Sequence, residues 1–191
     1  MIVGACALAL GADAAQAAFE FGTAPKLPTL SAATLNGKAL TVNTTMTNFS
    51  VTDTRGTKSG WNITVVGQSG TGKSAVFAQY CPKATCGTDV EGYVTAGQKM
   101  AANSLILNST GAKFTGVGTA PTLSCSAGCK VDTATAVKIA SAATGGAGES
   151  TWTTTGFSAT SLALAVPTTL RALKNEEVYR VNILWTLATG P

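Results

Sequence analysis

Apolar and polar residues alternate along this chain in short runs, as half-buried strands require. Leu40 and Val42 share one face of 40–45, and Trp61, Ile63 and Val65 share one face of 61–66, with Asn62 and Thr64 opposite. Leu162, Leu164 and Val166 repeat the pattern at 162–166. Further strands are predicted at 104–107, 136–141 and 150–155, with a weaker one at 121–124. The longest alternation is close to the end of the sequence. There Tyr179, Val181, Ile183, Trp185 and Leu187 form one apolar stripe against Arg180, Asn182 and Thr186.

Turn residues punctuate these runs. Phe49 and Val51 resume on the opposite parity after 47–48, which predicts a turn or bulge there. The segment 53–60 (DTRGTKSG) carries Gly56 and Gly60 and reads as a turn between two strands. The segment 170–178 (LRALKNEEV) has some helical character but reads better as a hairpin connection, and 67–102 fits no simple element. Residues 18–39 read as a lead-in with few strong elements, marked by Pro25 and Pro28. No heptad or exact repeat interrupts the pattern. Many short strands joined by Gly- and Pro-bearing turns predict an all-β sandwich of mostly antiparallel strands with long Gly/Ser/Thr-rich loops, its body spanning 40–191.

Composition narrows the function classes. Charged residues are 12% of the 191-residue chain, His is absent, and there are nine carboxylates. Proton-transfer catalysis draws mostly on His, Asp and Glu, so the stock of catalytic groups is thin. Neither a Ser-His pair nor a HExxH helix can be assembled, and no carboxylate cluster suits calcium. The expectation is a non-enzyme without metal or cofactor. The net charge of +4 is spread out, with no Lys/Arg cluster of the kind that contacts nucleic acid.

The beginning of the sequence reads as an export signal: 1–10 is apolar, and Ala15-Gln16-Ala17 offers small residues for cleavage, although no Lys or Arg precedes the apolar stretch. The apolar run is too short for a transmembrane helix. Cys6 lies too close to Met1 for a lipoprotein cleavage box. The other four cysteines, Cys81, Cys86, Cys125 and Cys129, suit disulfides in an exported protein and allow three pairings. Both pairs bracket short turn-rich loops, so local pairing within each loop is the first expectation. A zinc site would call for CxxC spacing, which neither loop has.

One motif points elsewhere. Residues 67–74 (GQSGTGKS) satisfy GxxxxGK[ST] in full after an apolar strand. In a nucleotide-binding protein, backbone N–H groups around Gly67 and Gly72 would wrap phosphates, Lys73 would reach their terminal oxygens and Ser74 would hold magnesium. That mechanism belongs to parallel sheets with crossover helices, and nothing here alternates strand with helix. The match reads as fortuitous, a loop in a chain rich in these residue types.

Two tryptophan elements carry a resemblance. The terminal stretch 179–191 (YRVNILWTLATGP) has Tyr179, Ile183, Trp185, Leu187 and Pro191 in the register YxxxΦTWxLxxxP, with Leu184 in place of the usual Thr. Upstream, Val51-Thr52-Asp53-Thr54-Arg55-Gly56-Thr57 leads to Gly60-Trp61, with Ile63 where leucine is usual. In both elements the chain resembles the WxL domain surface proteins of Gram-positive bacteria over roughly 40–191, the cysteine loops at about 80–132 looking like additions. The resemblance implies an immunoglobulin-like or WxL-type sandwich outside the cell, associated non-covalently with peptidoglycan or another wall polymer, and with other surface proteins. No LPxTG-like sorting signal is present, so covalent attachment is not expected.

The alternation itself bears on the motif. Trp61 and Ile63, with Tyr179, Trp185 and Leu187, lie on apolar stripes, which favours core positions over stacking on wall sugars. Two such stripes facing each other would form the centre of the sandwich. Exposed aromatic residues that contact a ligand would then lie elsewhere, with Trp152 and Tyr93 as candidates. A different class, a subunit of an extracellular fibre or surface layer assembled by strand addition, fits the low charge and β-rich body as well.

Overall fold

The computed structural model describes residues 17–82, 86, 90–174 and 176–191. Residues 1–16, which hold nearly all of the expected export signal, lie outside the described residues. Among the described residues fifteen strands follow one another: β1 (Phe19–Thr23), β2 (Leu40–Thr44), β3 (Ser50–Asp53), β4 (Trp61–Gly67), β5 (Ala78–Cys81), β6 (Gly92–Tyr93), β7 (Leu105–Leu107), β8 (Lys113–Thr115), β9 (Thr122–Leu123), β10 (Cys129–Lys130), β11 (Val137–Ala142), β12 (Ser150–Thr155), β13 (Leu162–Val166), β14 (Val178–Arg180) and β15 (Ile183–Thr189). All the pairings are antiparallel. The sheets run β1-β3-β12-β8, β10-β7-β13-β2, β15-β4-β11-β9 and β14-β5-β6. The all-β, sandwich-like architecture expected from the alternation is the one observed. The described residues contain no helix long and apolar enough to cross a membrane.

One apolar core is shared by the three larger sheets. Val51, Phe114 and Trp152 come from the first, Leu105, Leu162 and Val42 from the second, and Trp61, Ile63, Val65 and Ile139 from the third. β4 alternates without fault, its odd residues buried and its even residues half-buried, because it is flanked by strands on both sides. Core side chains of this size each contribute about 1.5–3 kcal/mol of burial, so the alternation is a strong constraint on register.

Two expectations are corrected. The stretch read as a lead-in contains β1, which pairs with β3 from Phe19↔Asp53 to Thr23↔Ser50 and so completes the first sheet. The terminal alternation is not a single strand: β14 pairs with β5, β15 pairs with β4, and the chain changes sheets at Val181-Asn182. The in–out parity survives the change. Tyr179, Val181, Ile183, Trp185 and Leu187 all pack against the core, partly buried, while Arg180, Thr186 and Leu184 are exposed.

Candidate functional site

The two tryptophan elements meet, though not face to face. β4 and β15 are neighbours in one sheet, with Ile63 opposite Leu187, Val65 opposite Trp185 and Trp61 opposite Thr189. The stripes therefore lie side by side and point together into the core, which corrects the expectation that they face one another across a sandwich. Trp61 is completely buried. Its Nε1 donates to the Gly148 carbonyl at 3.1 Å, and its ring meets Phe114 edge-on at 5.9 Å. Trp185 is half-buried at the sheet's edge strand.

The polar turn between β3 and β4 is a clamp. Asp53, 3% exposed, takes a two-pronged interaction from Arg55, Nε to Oδ1 at 2.8 Å and Nη2 to Oδ2 at 2.9 Å. Arg55 also donates from Nη1 to Thr189 Oγ1 at 2.7 Å, and its guanidinium carbon sits 3.6 Å above the Phe19 ring centre. One arginine thus ties β1, β3 and the end of β15. Nearby, Gly60 lies so close to Ala142 that a Cβ would stand 2.3 Å from its carbonyl oxygen, and the Gly60 carbonyl accepts from Gly190 N–H at 3.1 Å. The Asp-x-Arg and Gly-Trp features of the upstream element are parts of this fastening.

The Arg55 guanidinium, by hydrogen bond first and charge second, overcomes the burial of Asp53 and holds its carboxyl below the usual carboxylate range. A depressed acid contributes stability that is fully present above its unfolded pKa, about 3.9, and is lost as pH falls through the folded value. Arg55→Ala is therefore expected to cost about 1–3 kcal/mol at neutral pH. In melts from pH 7 to pH 2 the gap between wild type and variant should close below about pH 4. A gap that stays constant with pH would refute the clamp's charge component.

The phosphate-loop match has a structural use of its own. The Gly67 N–H donates to the Thr133 carbonyl, Gln68 N–H to the Asn182 carbonyl and Lys73 N–H to the Gly70 carbonyl. Ser74 N–H donates to Asn182 Oδ1 at 3.1 Å, and Ser74 Oγ to the Val76 carbonyl at 2.7 Å. The Gly67, Gln68, Lys73 and Ser74 amides and the Ser74 hydroxyl are thus engaged within the fold, and the segment continues into β5 instead of a helix. Gly67 is required because the Ala75 carbonyl passes 2.4 Å from where its Cβ would be. With Asn182 N–H donating to the Ser74 carbonyl at 2.7 Å, this loop closes around the point where the terminal segment changes sheets.

Of the two aromatic candidates for an exposed site, Trp152 is buried at 2% exposure, with Nε1 donating to the Glu149 carbonyl, and belongs to the core. Tyr93 is half-buried in a cluster that the alternation alone did not reveal. It stands opposite Tyr80 across β5 and β6, the rings edge-on at 5.0 Å, and its hydroxyl donates to Asn182 Oδ1 at 2.5 Å. Arg180 lies 4.5 Å from the Tyr80 ring centre on the adjoining β14. Burial pushes the Tyr93 phenol above its ordinary pKa, with the positive charge of Arg180 opposing the shift. Tyr179, on the opposite parity, donates its hydroxyl to the Arg171 carbonyl. It borders an apolar hollow of about 850 Å³ between 27–35, the β13 face and 170–173.

The four described cysteines close two small loops. Cys81 is bonded to Cys86, at the end of β5, and Cys125 to Cys129, at the start of β10. Among the described residues no cluster of three or more His, Cys, Asp or Glu stands ready for a metal ion.

Residues 9–191 match the family model of the WxL domain, described as surface cell wall-binding. The chain belongs to the WxL domain family. No curated protein and no solved structure matches it. Within this WxL domain, the named tryptophan elements are the paired strands β4 and β15, Trp61 is core, and the Tyr80–Tyr93–Arg180 cluster is carried on the small fourth sheet. Family membership makes the protein a cell wall-binding surface protein. Its two disulfides fit an extracellular setting.

Proposed function

We propose that this WxL domain is a non-enzymatic protein that associates non-covalently with peptidoglycan after export. The family match over residues 9–191 carries the reading. The disposition of the carboxylates supports it: Asp53 is committed to Arg55, and Asp132, fully buried, accepts from Ser104 N–H and Leu105 N–H at 2.9 Å each. Neither is available to a substrate. The family description gives no support to the fibre-subunit alternative.

In this reading the motif residues Trp61, Ile63, Tyr179, Trp185 and Leu187 brace the domain and do not touch the wall. Wild-type protein is expected to sediment with purified peptidoglycan, to be released by denaturant without a covalent adduct, and to leave the turbidity of the suspension unchanged. Trp185→Ala is expected to melt earlier yet to sediment like wild type at a temperature where it is folded. A Trp185→Ala protein with wild-type stability and no binding would show the tryptophan to be a wall contact, and falling turbidity would show an enzyme.

A further inference from the structure

The terminal segment 178–187 has two faces with different work to do. Its odd residues brace the core. Its even residues point outward, and where they pass β5 and β6 they complete a surface of a different kind. Val178, 45% exposed, stands directly opposite Tyr80, and Tyr80 stands directly opposite Tyr93, so three apolar side chains form one row across the sheet β14-β5-β6. Both tyrosines are half-exposed, and Arg180 is exposed beside the row.

One end of the row is held in place. The Tyr93 hydroxyl is bonded to Asn182 Oδ1, which also accepts from Ser74 N–H. Asn182 is itself pinned by the backbone bonds to Gln68 and Ser74. Held side chains lose little rotamer freedom on contact with a ligand, which is the condition for a strong anchor. Arg180 is the opposite case. Arg55 has a carboxylate partner at 2.8 Å, whereas Arg180 has none among the described residues and lies against the Tyr80 ring face. A guanidinium so placed is oriented by the ring and keeps its N–H fork free for a carboxylate.

We infer that Val178, Tyr80, Tyr93 and Arg180 form the surface that takes hold of the wall. The ligand is a length of peptidoglycan that lays the C–H face of a sugar ring on the aromatic row and sets a peptide-stem carboxylate against Arg180. The inference rests on the wall-binding reading above and deepens it. Aromatic surface alone would suit any apolar partner; the guanidinium beside it selects one that joins a flat, weakly polar face to an anion. Peptidoglycan joins the two in each repeat.

The test uses the full chain and cell-wall sacculi stripped of phosphate-bearing polymers by hydrofluoric acid, with unstripped walls in parallel. Arg180→Gln removes an exposed charge and Tyr80→Ala removes a platform ring; Lys113→Gln, exposed on β8, serves as a charge control. Each of the first two is expected to weaken sedimentation with stripped sacculi about tenfold, a difference of about 1.4 kcal/mol. Lys113→Gln should behave as wild type, and the Arg180→Gln melting curve should overlay the wild-type one. Wild-type binding retained by folded Arg180→Gln would overturn the site and leave the wall reading standing. Binding that disappears when the phosphate polymers are stripped would overturn the carboxylate ligand. A wild-type protein that sediments with neither preparation would overturn the wall reading, and this inference with it.

Discussion

Trp61→Ala is expected to be among the most damaging single substitutions in this domain, lowering stability by about 3–5 kcal/mol. The side chain is fully buried at the meeting point of two sheets, between its own strand β4 and Phe114 of β8. Truncation removes the apolar burial and leaves a void that the paired backbones on either side of β4 cannot close. It also deprives the Gly148 carbonyl of its indole donor. For a domain of this size the loss corresponds to a fall in melting temperature of about 6–20 °C. A Trp61→Ala protein that melts within about 2 °C of wild type, a shift worth no more than about 1 kcal/mol, would remove Trp61 from the core. Trp185→Ala should cost less, because its ring is half-buried on an edge strand.

Gly148→Ala is the second large effect, and it acts on the same ring from the other side. Gly148 has φ +72, a conformation that costs a residue with a Cβ about 1–2 kcal/mol. Its Cβ would also stand 2.5 Å from Trp61 Nε1 and 2.5 Å from the Ala142 Cβ. Neither obstacle is the free end of a flexible side chain: the indole is fixed by Phe114 and by its hydrogen bond, and Ala142 belongs to β11. Overpacking of this sort adds about 1–3 kcal/mol, for a total of roughly 2–5 kcal/mol. Gly145→Ala is the matched control, with φ +91 and nothing within 4 Å of the added methyl group. Denaturant titrations of the two should differ by the collision alone. Equal stabilities would mean that Trp61 can move aside, and that the pocket around it is not closed.

Strands and faces were legible in the sequence, and neighbours were not. The alternation of Leu162, Leu164 and Val166, or of Trp61, Ile63 and Val65, marks a strand and its buried side because each residue reports its own environment. It does not say which strand lies alongside. The stripes of β4 and β15 therefore looked like opposing walls when they are adjacent planks of one sheet. The change of sheet at Asn182 was hidden for the same reason: parity runs through it unbroken while the hydrogen-bonding partner changes from β5 to β4. β5, β8 and β10 are two to four residues long and sit among Gly, Ser and Thr, too short for alternation to register.

The candidate site shows the same division. Tyr80 and Tyr93 flank a cysteine loop, and Arg180 stood on the polar parity of the terminal stretch, so each was visible singly. Their meeting depends on β14 pairing with β5 across nearly a hundred residues, which no local pattern encodes. Trp152, by contrast, could have been assigned to the core from β12, where it and Thr154 occupy the buried parity. Gly148 had no signal at all, since it is one glycine in a stretch full of them.

The pairing of β4 with β15 has a consequence for the order of events in the life of the chain. β4 is central to its sheet, yet the strand that covers one of its edges is made about 120 residues later, from Ile183 to Thr189. The ribosome makes the chain from its beginning, so β4 waits with a bare edge until nearly the whole domain has emerged. Contacts this distant in sequence are slow to form, because the entropy of closing the loop comes before any gain. Such a domain closes late, and it locks only when its signature strand arrives.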